Sequence, residues 1–440
     1  MENIRKFGYT NIGDLNIELG KHGIHAAKEM ADLTSPIMLN DFKLVNRLVA
    51  LPMEGVDGKD GRPTDLTKKK YIDVAKGGYG LIWLEATSVN KEGMSNDNQL
   101  FINDDTVNDF QNLNFEIKEA SKESAYVGEA YTVLQLNHSG RYANMGKDEN
   151  AQIATHREKL DAKRGIEKDR ELVSDSYLDG LKNDYLKASR LAKKAGFDAV
   201  DIKACHGYLL SELLSATDRK GAYGGSFENR TRFLLETIDL IRKDEECKGL
   251  DIAVRLNMAD MTEHGFATTT DLDYDLTETI KLIEQLQSSG VKLISLTLGN
   301  PYFISYISKP SDLKKDETIE SPFTSSFRIF EMCGKLQKLF PEMIFVGVGY
   351  TFFREFGANV AEGLIREGKI SLAGFGRDML AYPELGNDLL KNGKMDKSKV
   401  CITCNLCSKL KANFSPAGCV VRNRQTYAKY VKELNKWVKK

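Results

Sequence analysis

Three side chains able to give a proton or a positive charge fall within six residues of one another: Lys203, His206 and Tyr208. An ammonium, an imidazole and a phenol each donate hydrogen bonds toward developing negative charge, the requirement of electrophilic and acid catalysis. They follow residues 199–202, a short apolar run broken only by Asp201, which suits a buried strand of a parallel sheet. A glycine-rich turn (Gly221, Gly224, Gly225) comes next, and Ser226 with Glu228 behind it predicts the start of a helix. Polar chemistry at the carboxyl end of a buried strand is where α/β barrels keep their active sites. Cys205, inside this group, reads as a small buried side chain rather than a nucleophile.

A second group is C-I-T-C-N-L-C, with Cys401, Cys404 and Cys407, followed by Cys419. Thiolates at i, i+3 and i+6 with a more distant fourth match iron–sulfur ligation. A zinc site, more often built from two separated C-x-x-C knuckles, and unligated thiols are the alternatives.

The elements that must position these groups alternate regularly. Strands are predicted at 48–53, 81–85, 131–136, 199–202, 252–256, 292–296, 344–347 and 370–373. Helices are predicted at 65–76, 108–122, 177–195, 229–243, 276–287, 325–339 and 354–367. Eight strands alternating with seven helices specify an α/β fold, a (β/α)8 TIM barrel, with a short C-terminal cysteine-rich extension that binds a cluster. The predicted division is a lead-in over 1–36 that packs on the barrel or a partner, the barrel over 37–395, and a cluster segment over 396–440 ending in a Lys-rich amphipathic helix at 426–440.

Three connections after strands are long: 87–107, 138–175 and 298–324. On the active-site face, loops of that length read as lids and substrate walls, although the highly charged 138–175 segment is equally well a solvated flap. Glycine pairs in V-G-V-G (Gly347, Gly349) and G-F-G-R (Gly374, Gly376, then Arg377) follow the seventh and eighth strands, where this barrel type builds its phosphate cradle. Glycines there let backbone N–H groups approach an oxyanion.

The 440-residue chain is 41% hydrophobic and carries 62 basic against 63 acidic residues, a net charge of −1. It can bury a large core, but no field draws nucleic acid or an anionic membrane. No apolar run reaches a membrane-spanning length, and the polar N-terminus holds no apolar signal core. Clustered cysteines in such a chain point to a reducing cytoplasm.

H-G-Y-L-L followed by Y-G-G-S-F-E-N-R-T-R-F resembles the signature of the Old Yellow Enzyme family (NADH:flavin oxidoreductases), in the iron–sulfur branch that includes 2,4-dienoyl-CoA reductase and trimethylamine dehydrogenase. The resemblance covers roughly residues 35–423. It implies an FMN enzyme in which Tyr208 protonates the α-carbon of an activated alkene while flavin hydride enters at the β-carbon. Lys203 and His206 stand where the family has His-x-x-His or His-x-x-Asn, and would polarise the substrate carbonyl; a lysine cation there could also hold a carboxylate. Pro52, Met53, Glu54, Ala86, Gln135 and Arg255 fall on positions that line the flavin ring. Alone, Arg255 reads as an ion-pair residue and Gln135 as a polar barrel-interior residue; in the pattern they become ligands to the N1/O2 side and the pyrimidine edge. Gly347, Gly349, Gly376 and Arg377 become the FMN phosphate site. His138 and Arg141 resemble the family's H-x-G-R and are expected to shape the substrate wall. Glu54 departs from the Thr or Cys usual near the flavin C4 oxygen; its carboxylate would repel a reduced ring unless protonated or turned away.

The same resemblance makes Cys401, Cys404, Cys407 and Cys419 ligands of a [4Fe-4S] cluster. No G-x-G-x-x-G follows a strand, so electrons are expected from NAD(P)H directly or from a ferredoxin or flavoprotein donor. The expected activity is reduction of the C=C bond of an α,β-unsaturated carbonyl or carboxyl compound. The rivals are an oxidative dehydrogenase of the trimethylamine dehydrogenase kind and an electron-transfer subunit of a larger complex; a homo-oligomer stays open.

Overall fold

A computed structural model of the chain describes residues 7–144, 151–312 and 320–437. Parts of two long loops (145–150 and 313–319) and the end of the predicted last helix (438–440) lie outside the described residues.

Eight parallel strands close into a barrel: β3 (Leu48–Ala50), β4 (Leu81–Ser88), β5 (Tyr131–Asn137), β6 (Ala199–Ile202), β7 (Asp251–Asn257), β8 (Leu293–Thr297), β9 (Ile344–Gly347) and β10 (Leu372–Phe375), with β10 pairing β3. Almost every strand residue is buried, as expected where helices cover one face and the barrel interior the other. The expected (β/α)8 architecture is therefore the observed one. An antiparallel hairpin, β1 (Ile37–Leu39) with β2 (Phe42–Leu44), precedes it. Phe42 meets Tyr131, at the start of β5, edge-on at 5.0 Å, so the hairpin sits at the amino end of the barrel.

Helix starts follow the capping chemistry. Ser226 Oγ accepts from the Asn229 N–H at the head of Phe227–Lys243, and Thr64 forms a reciprocal cap with Thr67 at the head of Asp65–Lys76. Four details differ from expectation. β3 stops at Ala50, short of residue 53, because Pro52 has no N–H for the ladder. β10 lies two residues later than predicted and includes Gly374, where a Cβ would stand 2.7 Å from Leu51 Cδ2, so this glycine serves interior packing rather than a loop. The seventh helix is broken: a 3-10 stretch, Tyr350–Phe356, with Arg354 at φ 54° inside it, leads into Gly357–Arg366. An unpredicted helix, Leu209–Ser215, follows β6 directly. The N-terminal lead-in carries a helix, Ile12–Gly20, and Phe7 packs edge-on against Phe352 and Phe353, so it docks on the barrel.

Candidate active site at the carboxyl end of the barrel

The floor of the site is built on Asp201, the polar residue that interrupts the β6 run. Its carboxylate accepts from Gln135 Nε2 (2.6 Å), Trp83 Nε1 (3.0 Å) and the Arg255 backbone N–H (2.7 Å). The strand register places Gln135 beside Asp201. Burial outweighs these donors and pushes the Asp201 carboxyl up to about 6. Asp201 thus orients the two residues expected at the flavin ring, a role with no local sequence signal beyond one acid in an apolar strand.

Arg255 reaches the Pro52 carbonyl through Nη1 at 3.5 Å, while its Nε is buried with no hydrogen-bond partner. Its guanidinium lies close enough to Asp201 and Cys205 to feel their charge, though burial pulls its pKa down. A buried guanidinium with an unused donor fits an anionic or carbonyl acceptor such as the N1/O2 side of a flavin. Ala86, at the end of β4, is buried and gives its carbonyl to Gln99 Nε2. Met53 touches the last strand: a Cβ on Gly376 would lie 3.1 Å from its Sδ. Gly347 ends β9, and Gly349 (φ 106°) precedes the 3-10 stretch. Arg377, next after Gly376, donates to the Pro310 carbonyl at 2.9 Å and to Asn405 Oδ1 at 3.4 Å, linking the loop after β8 to the cysteine segment.

Beyond β6 the chain turns sharply. His206 (φ 66°) and Gly207 (φ 71°) are successive left-handed residues, and only glycine fits the second, since a Cβ would come within 2.3 Å of Asn300 Nδ2. The turn brings Lys203 and Tyr208 together: Lys203 Nζ stands 3.7 Å from the centre of the Tyr208 ring. Lys203 is 5% exposed, and burial pulls its ammonium down to about 7, with Lys411 and Arg255 adding repulsion. Tyr208 is 2% exposed, and burial holds its phenol well above the usual range. His206 shares a 3.3 Å hydrogen bond with Thr297 Oγ1, and burial with four nearby cations keeps its imidazole neutral. Cys205 is fully buried, its thiol pushed up to about 12 by burial.

His138 and Arg141 are absorbed by structure. His138 Nε2 shares a 2.8 Å hydrogen bond with Tyr177, and burial pulls the imidazole down to about 3. Arg141 is fully buried between Asp161 and Glu212, tying the 138–175 loop to the Leu209–Ser215 helix.

Glu54 is held in an ion pair rather than protonated. Lys411, from the helix Leu406–Ala412 that contains the third cysteine, Cys407, pairs with it at 2.7 Å. Ser95 Oγ and Asn96 Nδ2 donate to its other oxygen. Burial alone would raise the Glu54 carboxyl; the Lys411 cation outweighs it and the net shift is downward. Lys411 Nζ also reaches the Tyr302 hydroxyl at 3.1 Å, and Tyr302 shares a 2.5 Å hydrogen bond with Tyr208. Tyr142 stacks on Tyr302 at 4.1 Å and is held by Asn300. Tyr302, Lys411, Tyr142 and Asn300 were not singled out by sequence; the sole hint was that Tyr302 lies in a long loop on the active-site face.

The cysteines present a mixed picture. The Thr403 N–H points to Cys401 Sγ (3.4 Å) and the Arg422 N–H to Cys419 Sγ (3.3 Å). Cys401 and Cys419 each feel the charge of Cys407. Among the described residues no three Cys, His, Asp or Glu side chains are grouped as a metal site. No described helix is long and apolar enough to cross a membrane.

A closed parallel barrel with a phenol, a lysine, a histidine and a partly unsatisfied arginine at the carboxyl ends of its strands defines a (β/α)8 oxidoreductase. More specifically, the chain belongs to the NADH:flavin oxidoreductase / NADH oxidase family, whose model matches residues 32–395, and it is an FMN-dependent oxidoreductase. The Old Yellow Enzyme resemblance drawn from residues 206–233 stands. The chain is 33% identical over 272 residues to the NADPH dehydrogenase of Bacillus subtilis (strain 168), covering 61% of this chain and 73% of the relative. A solved complex of 2-naphthoyl-CoA reductase superposes with a TM-score of 0.71 at 19% identity, over 89% of this chain; the match spans 57% of that longer polypeptide. The Old Yellow Enzyme homologue from Zymomonas mobilis superposes with a TM-score of 0.60 at 22% identity, over 83% of this chain and 94% of that one. At those identities the superpositions speak for the fold alone.

Proposed function

We propose that the protein is an FMN-dependent ene-reductase that reduces the C=C bond of an α,β-unsaturated carbonyl or carboxyl compound. The observation that carries this reading is the Tyr208 phenol, buried, protonated and set beneath the Lys203 ammonium, at the same barrel mouth as Arg255. Arg255, Gln135, Ala86, Pro52 and Met53 would hold the ring, with Gly347, Gly349, Gly376 and Arg377 toward the phosphate. FMN, when bound there, would supply the hydride chemistry. The chain's own part is proton and charge management. Lys203 and His206 donate toward the carbonyl oxygen as charge develops there, and Tyr208 gives its proton to the α-carbon. A Lys203 cation 3.7 Å from the ring stabilises the phenolate left behind.

The same proposal assigns Cys401, Cys404, Cys407 and Cys419 to a [4Fe-4S] cluster, which would supply single electrons from a ferredoxin or flavoprotein. Spacing and two backbone N–H···S contacts support it. NAD(P)H is the alternative donor, in line with the names of the relatives. The division at 36/37 and 395/396 belongs to this reading too.

Anaerobically purified protein analysed for flavin, iron and sulfide tests the cofactors, and Cys407→Ser is expected to lose iron while keeping flavin. For the reaction, dithionite-reduced enzyme is mixed with 2-cyclohexenone in a stopped-flow instrument. Tyr208→Phe is expected to retain flavin and to reoxidise roughly 100-fold more slowly or worse. Equal rates for the two proteins would remove Tyr208 from the mechanism. An amine that bleaches the oxidised flavin, with no reoxidation by enones, would favour the oxidative rival.

A further inference from the structure

The phenol assigned as proton donor is not isolated. Tyr208 Oη lies 2.5 Å from Tyr302 Oη, which lies 3.1 Å from Lys411 Nζ, which pairs with Glu54 at 2.7 Å. The four residues come from four separate stretches: the turn after β6, the loop after β8, the cysteine segment and the loop after β3. Tyr208 is shut away from water at 2% exposure, whereas Tyr302 is half-buried and the Lys411 side chain is 28% exposed. A buried donor that has given up its proton must be recharged, and the sole hydroxyl hydrogen-bonded to Tyr208 among the described residues is that of Tyr302.

We infer that Tyr302 is the relay that returns a proton to Tyr208 after each turnover, and that Lys411 is a positioning residue, held by Glu54, which stabilises the negative charge while it resides on the tyrosine pair. The inference rests on the ene-reductase reading above. The steps balance as one proton moving inward. The Tyr208 O–H bond breaks as the α-carbon C–H bond forms, leaving a phenolate at Tyr208. The Tyr302 proton crosses the short hydrogen bond to Tyr208, and water supplies a proton to Tyr302. Lys411 keeps its own proton throughout, because Glu54 secures the ammonium. Its position lets a helix of the cysteine segment complete the active site of the barrel.

Geometry favours this over simple packing. Tyr142 stacks on Tyr302 (4.1 Å, 24°) and meets Tyr208 edge-on (5.8 Å, 75°), and Asn300 holds Tyr142 by its hydroxyl while accepting the Tyr302 backbone N–H. The pair of hydroxyls is thereby fixed in register. The charged and titratable groups facing the pair are Lys203 over the Tyr208 ring, Lys411 at Tyr302, the Glu54 carboxylate behind it, the Cys205 thiol and Tyr142.

The test uses flavin-loaded Tyr302→Phe, Lys411→Met and Lys411→Arg, each checked for wild-type flavin content, with two readouts. In the first, repeated turnover of 2-cyclohexenone is followed between pH 6 and 9 with excess dithionite, so that Tyr208 must be reprotonated in every cycle. Tyr302→Phe and Lys411→Met are expected to be about ten-fold slower at saturating enone with an altered pH profile, while flavin reduction by dithionite is unchanged and Lys411→Arg recovers most of the rate. The second needs no turnover: 3-fluorotyrosine replaces Tyr208 and its ionisation is followed by 19F NMR. Losing either partner is expected to raise the midpoint by about one pH unit, and Lys411→Arg to restore it. If wild type reoxidises normally but the variants match it in rate, profile and midpoint, the relay is overturned and the ene-reductase reading survives. If no enone reoxidises even wild type, the reaction reading fails, and an unmoved midpoint would then sink the tyrosine–lysine coupling as well.

Discussion

Lys203 shows how far a single side chain can be pushed for the sake of a site. Its folded-state pKa of about 7 lies below the ordinary 10.5 of a lysine, with burial the main cause. A cation that is harder to hold in the folded than in the unfolded chain costs stability. That cost is present in full below about pH 7 and shrinks as the pH rises toward 10.5, because the folded state sheds the proton first. Lys203→Met is therefore expected to stabilise the fold by on the order of a few kcal/mol at pH 6 and by visibly less at pH 9, read from urea midpoints at the two pH values. Wild type is expected to lose enone reoxidation rate as the pH rises through about 7, and Lys203→Met to lack that fall. A variant that is no more stable at pH 6 than wild type would mean that the ammonium is better solvated than its burial implies. The trade of stability for chemistry is a common one at active sites. Lys203 was legible from sequence as a departure in a known pattern; that it half-titrates at neutral pH was not, because its depth and the opposing Lys411 come from distant chain segments.

At the scale of elements, the turn from His206 to Tyr208 decides where the phenol stands. Gly207 adopts φ 71°, and a side chain there would drive into Asn300, the residue that holds Tyr142 and the Tyr302 backbone. Gly207→Ala is expected to cost about 1–2 kcal/mol of backbone strain, plus the displacement of Asn300. The alkene half-reaction should slow while flavin binding, which rests on other strands, is kept; thermal unfolding and stopped-flow reoxidation check the two parts. The strands themselves were legible because a parallel barrel buries both faces, so apolar runs such as 131–136 and 199–202 announce themselves. β10 was displaced by two residues because Gly374 looks like a loop residue in sequence, whereas inside the barrel it makes room for Leu51. Tyr302 and Lys411 were barely legible: the one lies in a long loop, the other in a short unpredicted helix, and what brings them to Tyr208 is packing across roughly 100 residues or more of chain.

In the molecule as a whole, the cysteine segment is stitched into the barrel rather than appended to it. The Cys401 N–H bonds Asp378, Arg354 holds the Cys401 carbonyl, Lys309 reaches Ser408, and the Ala417 N–H donates to the Gly55 carbonyl at 2.7 Å. The contact with the largest electrostatic consequence is Lys411 with Glu54. Removing one partner of a buried pair leaves an uncompensated charge, which costs more than the pair contributes. In the full chain, Glu54 ionises more readily than a free glutamate, so its contribution to stability is present above the ordinary 4.5 and lost as the pH falls through the lowered folded value. A chain cut after residue 395 reverses this. Burial, the largest influence, is then opposed only by the Ser95 hydrogen bond and the Lys203 charge and is expected to raise the carboxyl, so acidification should stabilise the truncated barrel at this position. Glu54→Gln consequently has opposite expected effects in the two contexts. It weakens the full-length chain by about 1–3 kcal/mol at pH 8 and stabilises the truncated one, measured as shifts in urea midpoint at constant slope. The same sign in both would mean that the barrel is indifferent to the segment, and that residues 396–440 form an independent unit.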